Sequence, residues 1–377
     1  MKKSKLLIII SSVLIVLGVI LGIVGYSMGA SFNIVKDKNG FRVYDEDDLE
    51  TQTEDLLEIK NIEINGDIEV LQIIKSDKYA ISTTNVKGKN EIKFTEKNGK
   101  LKVETINEKA KSFSINIGNK KSTNILKIYI PQNAKLDSVN INTNNSTIHI
   151  SDCNVKEMLI KDKYGSLYIS DIKSSSINTE LSNGNTTMKN VESNVINIEN
   201  SYGSLKIENG VFQNLKTFVK NGNTHINDVK VNKETLIKNS YGTINVKDCV
   251  FNILKSHINN GDINIGNSNA KNTSIDNAYG NLESNEFISE STIVNGNNSN
   301  INLTGKFLGN TKIKSHHSNI KLTTGIEKNS YNYDIYCNNG ILNVNGKGFE
   351  KELKEDNKAN NNLNIENNNG NITVDFQ

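Results

Sequence analysis

A small turn residue returns at an almost constant interval through most of this chain. Ser146, Gly165, Gly184, Gly203, Gly222, Gly242, Gly261, Gly280, Ser299 and Ser318 are separated by 19, 19, 19, 19, 20, 19, 19, 19 and 19 residues. A period this strict requires each interval to be one structural unit stacked on the last, which is the mark of a solenoid. With the turn residue as position zero, positions +2 and +4 are mostly Ile, Leu, Val, Met or Thr, and +1, +3 and +5 are mostly polar, as in Leu167-Tyr168-Ile169 and Ile263-Asn264-Ile265. That alternation sends +2 and +4 to one face of a short strand.

Position +6 is Asp152, Asp171, Asn190, Asn209, Asp228, Asp248 and Asn267 in successive periods. Asn and Asp tolerate the left-handed backbone of a corner. Further apolar residues follow at +7 or +8 and near +12 to +14, among them Ile172, Val191, Ile196 and Leu215. The expected fold class is therefore all-β, a parallel β-solenoid (β-helix) with coils of about 19 residues. Each coil should rise roughly 4.8 Å. An antiparallel meander is the competing fold, because Asn-Gly between alternating runs also signals a hairpin. A meander of this length would be one open sheet with a wet face and two exposed edges, and the in-phase corners favour the solenoid.

A second rhythm overlies the first. Turns alternate between Tyr-Gly (Tyr164, Tyr202, Tyr241, Tyr279) and Asn (Asn183, Asn221, Asn260, Asn298). The Tyr turns share a lead-in, Ile198-Glu-Asn-Ser-Tyr-Gly and Ile237-Lys-Asn-Ser-Tyr-Gly. The repeating unit is thus a pair of coils.

The remainder of the chain divides around this rod. Residues 1–30 read as an N-terminal membrane anchor, with Leu6 to Tyr26 an apolar run long enough as a helix to cross a bilayer. Lys2, Lys3 and Lys5 precede it, so the N-terminus is expected in the cytoplasm and the bulk of the chain outside. A cleaved signal peptide ending near Ser27-Met28-Gly29 competes, but the run is longer than an ordinary signal core. Gly18 and Gly22 are spaced as in closely packed membrane helices, although Gly is common in such segments. Residues 31–56 read as an acidic juxtamembrane linker, containing Asp45, Glu46, Asp47 and Asp48. Residues 57–135 read as an N-terminal β cap with a hairpin turn at Asn98-Gly99, covering strand edges that would otherwise aggregate. Residues 136–345 are the regular solenoid. Residues 346–377 read as a polar solvent loop, Gly346 to Asn362, and a final coil around Asn369–Val374.

Composition excludes some classes of function. The net charge is +2, and Arg42 is the only arginine, which argues against nucleic-acid binding. Cys153 and Cys249 occupy equivalent corners five coils apart, too far to bridge, and Cys337 stands alone. The odd count fits an extracytoplasmic protein independent of disulfides.

The cap, then Ile130-Pro131-Gln-Asn-Ala-Lys-Leu136-Asp-Ser-Val139, then serial Asn/Tyr-Gly-x-Ile/Leu-x-Ile/Val units carry a family resemblance. From Leu57 to Phe376 the chain resembles the "putative adhesin" family of unknown function, whose members bear β-strand repeats and sit in bacterial, often Gram-positive, cell envelopes. The resemblance implies a β-repeat fold in the envelope and brings no catalytic residues. Some relatives stand beside envelope-stress sensing systems.

No metal or cofactor site is expected. His149 and His225 share position +3 but lie four coils apart, and the adjacent His316 and His317 should point to opposite faces. The Asp/Asn row at +6 lacks the nine-residue, Gly-rich pattern of a calcium repeat and reads as a turn ladder. No catalytic residues are expected either, since the Asp residues line one corner and do not face each other across a cleft. The candidate ligand-facing row is Tyr164, Tyr202, Tyr241 and Tyr279, roughly 10 Å apart, a stride suited to stacking on sugar rings. The competing reading is that these rings support the corner. The expected function is a non-catalytic, membrane-anchored interaction or structural rod of the envelope, with wall polymer or another envelope protein as partner. The alternative is an accessory or sensory part of an envelope-stress pathway acting through the membrane helix. A glycan-active β-helix enzyme is the remaining reading.

Overall fold

Parallel strands need both faces or a closed coil to bury their apolar side chains, and this chain takes the second course. The computed structural model describes residues 2–28, 32–37, 40–44, 49–86, 91–106, 113–117 and 124–377. Each coil from Ser146 onward has a short arm at +1 to +5 and a longer arm at about +8 to +18. Both pair in parallel with the same arms of the next coil. Thr147–Ser151 lies on 166–170, and Asn154–Tyr164 lies on 173–183. The expected parallel β-solenoid is the fold, preceded by one apolar helix, Lys2–Ser27.

Two columns of backbone fix the corners. At +6, all seven Asp and Asn residues have φ between 41° and 57°, and Glu286 continues the column at 53°. At position zero the coils nearly touch. A Cβ on Gly184 would lie 1.5 Å from the Gly165 carbonyl oxygen, and one on Gly222 would lie 2.0 Å from that of Gly203. Glycine recurs there because a side chain would collide with the coil beneath. The single 20-residue step is absorbed on the surface, where the register slips between Val231 and Glu234.

The interior explains the two-coil rhythm. Two inward positions of the long arm alternate in size from layer to layer: Thr179 with Leu181, Ile198 with Asn200, Thr217 with Val219, Ile237 with Asn239, Ser256 with Ile258, Ile275 with Asn277. A small residue stacks on a large one at both positions, which keeps the core evenly filled. The buried Asn sits three residues before the Tyr-Gly glycines Gly203, Gly242 and Gly280. Asn200 Nδ2 donates to the carbonyls of Gly184 (3.0 Å) and Gly203 (3.3 Å), and Asn239 Nδ2 donates to that of Gly222 (3.0 Å). Asn200 and Asn239 thereby satisfy carbonyls that the tight corner turns inward, whereas the amide of Asn277 has no hydrogen-bond partner. Sequence reasoning took these residues only as part of a lead-in motif.

At both ends the stack departs from chain order. Near the N-terminal end, Asn61–Asn65 and Val70–Ser76 form a layer that lies between the first coil and a layer made by the later strands Lys100–Ile106 and Ile125–Pro131. Antiparallel strands close this end: Ala80–Val86 on Ile125–Pro131, Leu49–Asp55 on Ala80–Val86, and Glu91–Lys97 on Lys100–Ile106. The expected hairpin at Asn98-Gly99 is present, with φ of 54° and 72°. Part of the segment expected as a linker is strand: Phe32–Asp37 pairs with Gly40–Tyr44 and with Phe113–Ile117. Asp45 to Asp48 and the cleavage-site Gly29 lie outside the described residues.

The other end mirrors this. The strands Asn361–Asn369 and Ile372–Phe376, expected as the last coil, lie one layer in. They are sandwiched between the coil containing Ser299–His316 and Ile320–Thr324 and the outer strands Tyr331–Asn339 and Leu342–Val344. The corner column runs in the same order: a Cβ on Gly370 would meet the Ser318 carbonyl oxygen, and one on Gly340 would meet that of Gly370. The stretch expected as a solvent loop supplies two antiparallel closing strands, Lys347–Phe349 and Glu352–Glu355, and Phe349 and Leu353 pack against the core.

Candidate functional site

The tyrosine row is built by the same corner that needs glycine. Each Tyr ends a long arm one residue before position zero, and Tyr and Asn alternate in register: Tyr164 on Asn183, Asn183 on Tyr202, Tyr202 on Asn221, Asn221 on Tyr241, Tyr241 on Asn260. Tyr164, Tyr202, Tyr241 and Tyr279 are 58, 51, 53 and 52% exposed, so all four stand at the surface of the corner. Behind them the corner is held by a second ladder. Asn185 Oδ1 accepts from Ser204 N–H at 2.8 Å, Asn223 Oδ1 from Thr243 N–H at 2.9 Å, and Asp262 Oδ1 from Asn281 N–H at 2.8 Å. The row therefore stands on a backbone bonded from coil to coil, a rigid base for repeated contacts.

The +6 column is occupied with its own hydrogen bonds. Asn190 Nδ2 donates to Asp171 Oδ1 at 2.8 Å, Asn209 Nδ2 to Asn190 Oδ1 at 3.1 Å, and Asn267 Nδ2 to Asp248 Oδ1 at 2.6 Å. Among the described residues, no three His, Cys, Asp or Glu side chains gather as metal ligands would. His149 stacks on Tyr168 with centroids 4.6 Å apart, and burial lowers its pKa. His225 Nδ1 meets Asn245 Nδ2 at 3.2 Å, and His316 and His317 contact Asn368 and Asn369. All three cysteines are buried and free; burial pushes the Cys153 thiol up to about 12 and that of Cys249 to about 11. Such thiols are inert at neutral pH.

One carboxyl stands apart. Asp162 takes the place that Asn occupies in later Tyr-Gly lead-ins and is 4% exposed. It accepts hydrogen bonds from Ser146 N–H and the Thr143 hydroxyl, but burial outweighs them and raises its pKa.

Among the described residues the apolar helix is exposed: its large apolar residues from Leu6 to Val24 are 47–68% exposed. It is long and apolar enough to cross a membrane, with a mean hydropathy of 3.1 over Lys5–Gly25.

The sequence profile of one family matches residues 59–248, half of the chain. The chain belongs to the Toastrack DUF4097 family. Among solved structures, this Toastrack chain is similar to a putative adhesin from Parabacteroides distasonis ATCC 8503, with 13% identity, 73% of this chain and 96% of that chain covered, and a TM-score of 0.39. A putative adhesin from Parabacteroides merdae ATCC 43184 shares 14% identity over 74% of this chain and 93% of its own, with a TM-score of 0.33. A putative cell adhesion protein from Clostridium sporogenes ATCC 15579 shares 13% identity over 87% of this chain and all of its own, with a TM-score of 0.18. No curated protein matches the sequence.

Proposed function

We propose that this protein is a non-catalytic, adhesin-like rod of the cell envelope, anchored by its N-terminal helix with the solenoid outside the membrane, and that the tyrosine row is its ligand-facing edge. The observation that carries this reading is the half exposure of Tyr164, Tyr202, Tyr241 and Tyr279 at every second coil. The rings repeat at roughly 10 Å, close to the length of two β-1,4-linked pyranose units. An exposed phenol ring offers an apolar face to sugar C–H groups and a hydroxyl to their oxygens. A polymer engaging several such rings gains by avidity what each contact lacks alone. The lysines before the helix favour a cytoplasmic N-terminus and an extracytoplasmic rod.

The test is co-sedimentation of the detergent-solubilised full-length chain with purified wall sacculi, carrying or stripped of anionic polymer. The comparison is the quadruple Tyr164/Tyr202/Tyr241/Tyr279→Ala variant, checked first by thermal melting. A folded variant that stays in the supernatant while the wild type pellets supports the row. Equal pelleting of both, or of neither, removes the tyrosines from the reading.

A further inference from the structure

The stacked corners and the two end closures share one reactive sequence, Asn-Gly, which occurs eleven times in the chain. We propose that the fold sorts these pairs: Asn98, Asn339 and Asn345, in the end closures, are sites of spontaneous deamidation, and the stacked coils resist it. In this reaction the backbone nitrogen of the glycine loses its proton and attacks the side-chain carbonyl carbon of the asparagine. A C–N bond forms and ammonia leaves. Water then opens the cyclic imide at either carbonyl, giving aspartate or isoaspartate, and no other reagent is consumed. Asparagine is among the thermolabile residues, and a following glycine has no side chain to hinder ring closure. The attacking group is the glycine N–H, so what that N–H already does decides the outcome.

In the stack it is engaged. Gly184 N–H donates to the Tyr202 carbonyl at 2.7 Å, Gly222 N–H to that of Tyr241 at 3.1 Å, and Gly261 N–H to that of Tyr279 at 2.8 Å. Gly66 and Gly370 donate likewise to the carbonyls of Asn142 and Asn339. Asn209 and Asn295 lie within paired strands, and their Nδ2 groups are donated along the rod to Asn190 and Asp276. For these pairs to react, contacts between coils must first open. Asn39, in the remaining pair, lies outside the described residues.

The ends differ. Asn98-Gly99 and Asn345-Gly346 are the central pairs of two-residue hairpins, with φ of 54° and 72° and of 47° and 77°. In such a turn the cross-strand bond joins the flanking residues, which leaves the glycine N–H without a partner in the turn. Gly340 follows the outermost strand Tyr331–Asn339, where no further coil offers its N–H a carbonyl. Among the described residues, none of these three N–H groups donates to a backbone carbonyl. The side chains rank the three sites. Asn345 Oδ1 accepts from Phe376 N–H at 2.7 Å, and Asn339 Nδ2 donates to Asn369 Oδ1 at 3.0 Å. The Asn98 side chain makes no hydrogen bond among the described residues, so it should react first. Conversion at Asn339 would set a carboxylate against the Asn369 oxygen in place of a donor, loosening the tip where the last layers meet.

The experiment is incubation of the full-length chain in detergent at mildly alkaline pH, followed by peptide mapping with mass spectrometry. Isoaspartate is located independently by enzymatic methylation. The same chain incubated in urea, where every pair is exposed, gives the unprotected rate of each. In the native rod Asn98 should convert roughly tenfold or more faster than Asn183, Asn221 and Asn260, because at least one hydrogen bond must open at each corner. Asn345 and Asn339 should fall between, and in urea the rates should draw together. Corner pairs that convert in the native rod as fast as Asn98 would overturn the proposal. So would end pairs that stay intact while the urea sample is converted, or Asn339 and Asn345 reacting no faster than the corners. The earliest isoaspartate signal should be missing from Asn98→Gln, whose longer side chain closes the ring slowly; its persistence there would overturn the ranking.

Discussion

The middle of the rod and its two ends are made of the same kind of strand by different rules. Between Asn154 and Gly305 each coil pairs with its neighbours in sequence, and the strand pairings are about one period away. At each end a layer is laid down out of turn, so that Ile320–Thr324 meets Ile372–Phe376 across some 50 residues and Lys135–Thr143 meets Asn61–Asn65 across more than 70. The middle relies on repetition and the ends on long-range closure. A stack of identical parallel coils would present sticky edges at its tips; here the outermost strands run antiparallel to the layer beneath and are rich in charge, as in Glu352-Leu-Lys-Glu355.

The difference can be probed by substitution, and the largest effect belongs to the middle. Gly222→Ala should cost at least about 4 kcal/mol, because the new Cβ collides with backbone that cannot yield. Gly346→Ala, in the closing hairpin, meets no atom within 4 Å and pays only for its φ of 77°, about 1 kcal/mol. Urea denaturation of the two variants should separate them clearly. Equal losses would mean that the corner column is not the tight point of the rod.

Next comes the buried amide. Asn239→Ala should destabilise by roughly 2–3 kcal/mol, since it leaves the Gly222 carbonyl without its donor. Val219→Ala, at the same position one coil earlier, loses only packing, and the two values sharpen the distinction between the layers. Restoring the melting temperature with Asn239→Leu, which fills the space but carries no donor, would argue that volume rather than the hydrogen bond matters there.

Asp162→Asn goes the other way, adding about 1 kcal/mol at pH 7 by giving the first coil the amide that its successors carry. The sign follows from the raised pKa of Asp162. Its contribution in the wild type is complete below the ordinary carboxylate value near 4 and is lost as pH rises through the higher folded value. Wild type should therefore gain on the variant as pH falls from 7 to 4; parallel melting curves across that window would refute the assignment.

The smallest effect is expected from Thr217→Val. The Thr217 hydroxyl is fully buried without a partner, and its removal should stabilise by up to about 1 kcal/mol. A loss of stability would show that the polar atom is satisfied after all.

What could be read from residues follows the same division. The corner code was legible because it is local: an Asn or Asp at +6 and a Gly at zero act within a few residues and are restated in every coil. The buried Asn was obscured by its type, since Asn usually marks a turn. Its position three residues before Gly203, Gly242 and Gly280, and its absence from the intervening coils, was the available signal. The ends were not legible, because nothing near Gly340 or Gly370 states that the later one stacks first on Ser318. The same difficulty hides the hydrogen bonds of Asn124 and Asn144 to Asp67, which form only through the displaced layer at the N-terminal end. The tyrosine row, by contrast, was visible from spacing alone.

The alternation of large and small residues inside the rod sets how such a molecule can change length over evolutionary time. Duplicating one coil would set Leu on Leu and Thr on Thr at the inward positions, crowding one side of the core and hollowing the other. Duplicating two restores the phase. Viable insertions and deletions between the closures should therefore come in blocks of two coils, and homologous rods should differ in reach by steps of roughly 10 Å, each step bringing one more tyrosine with it.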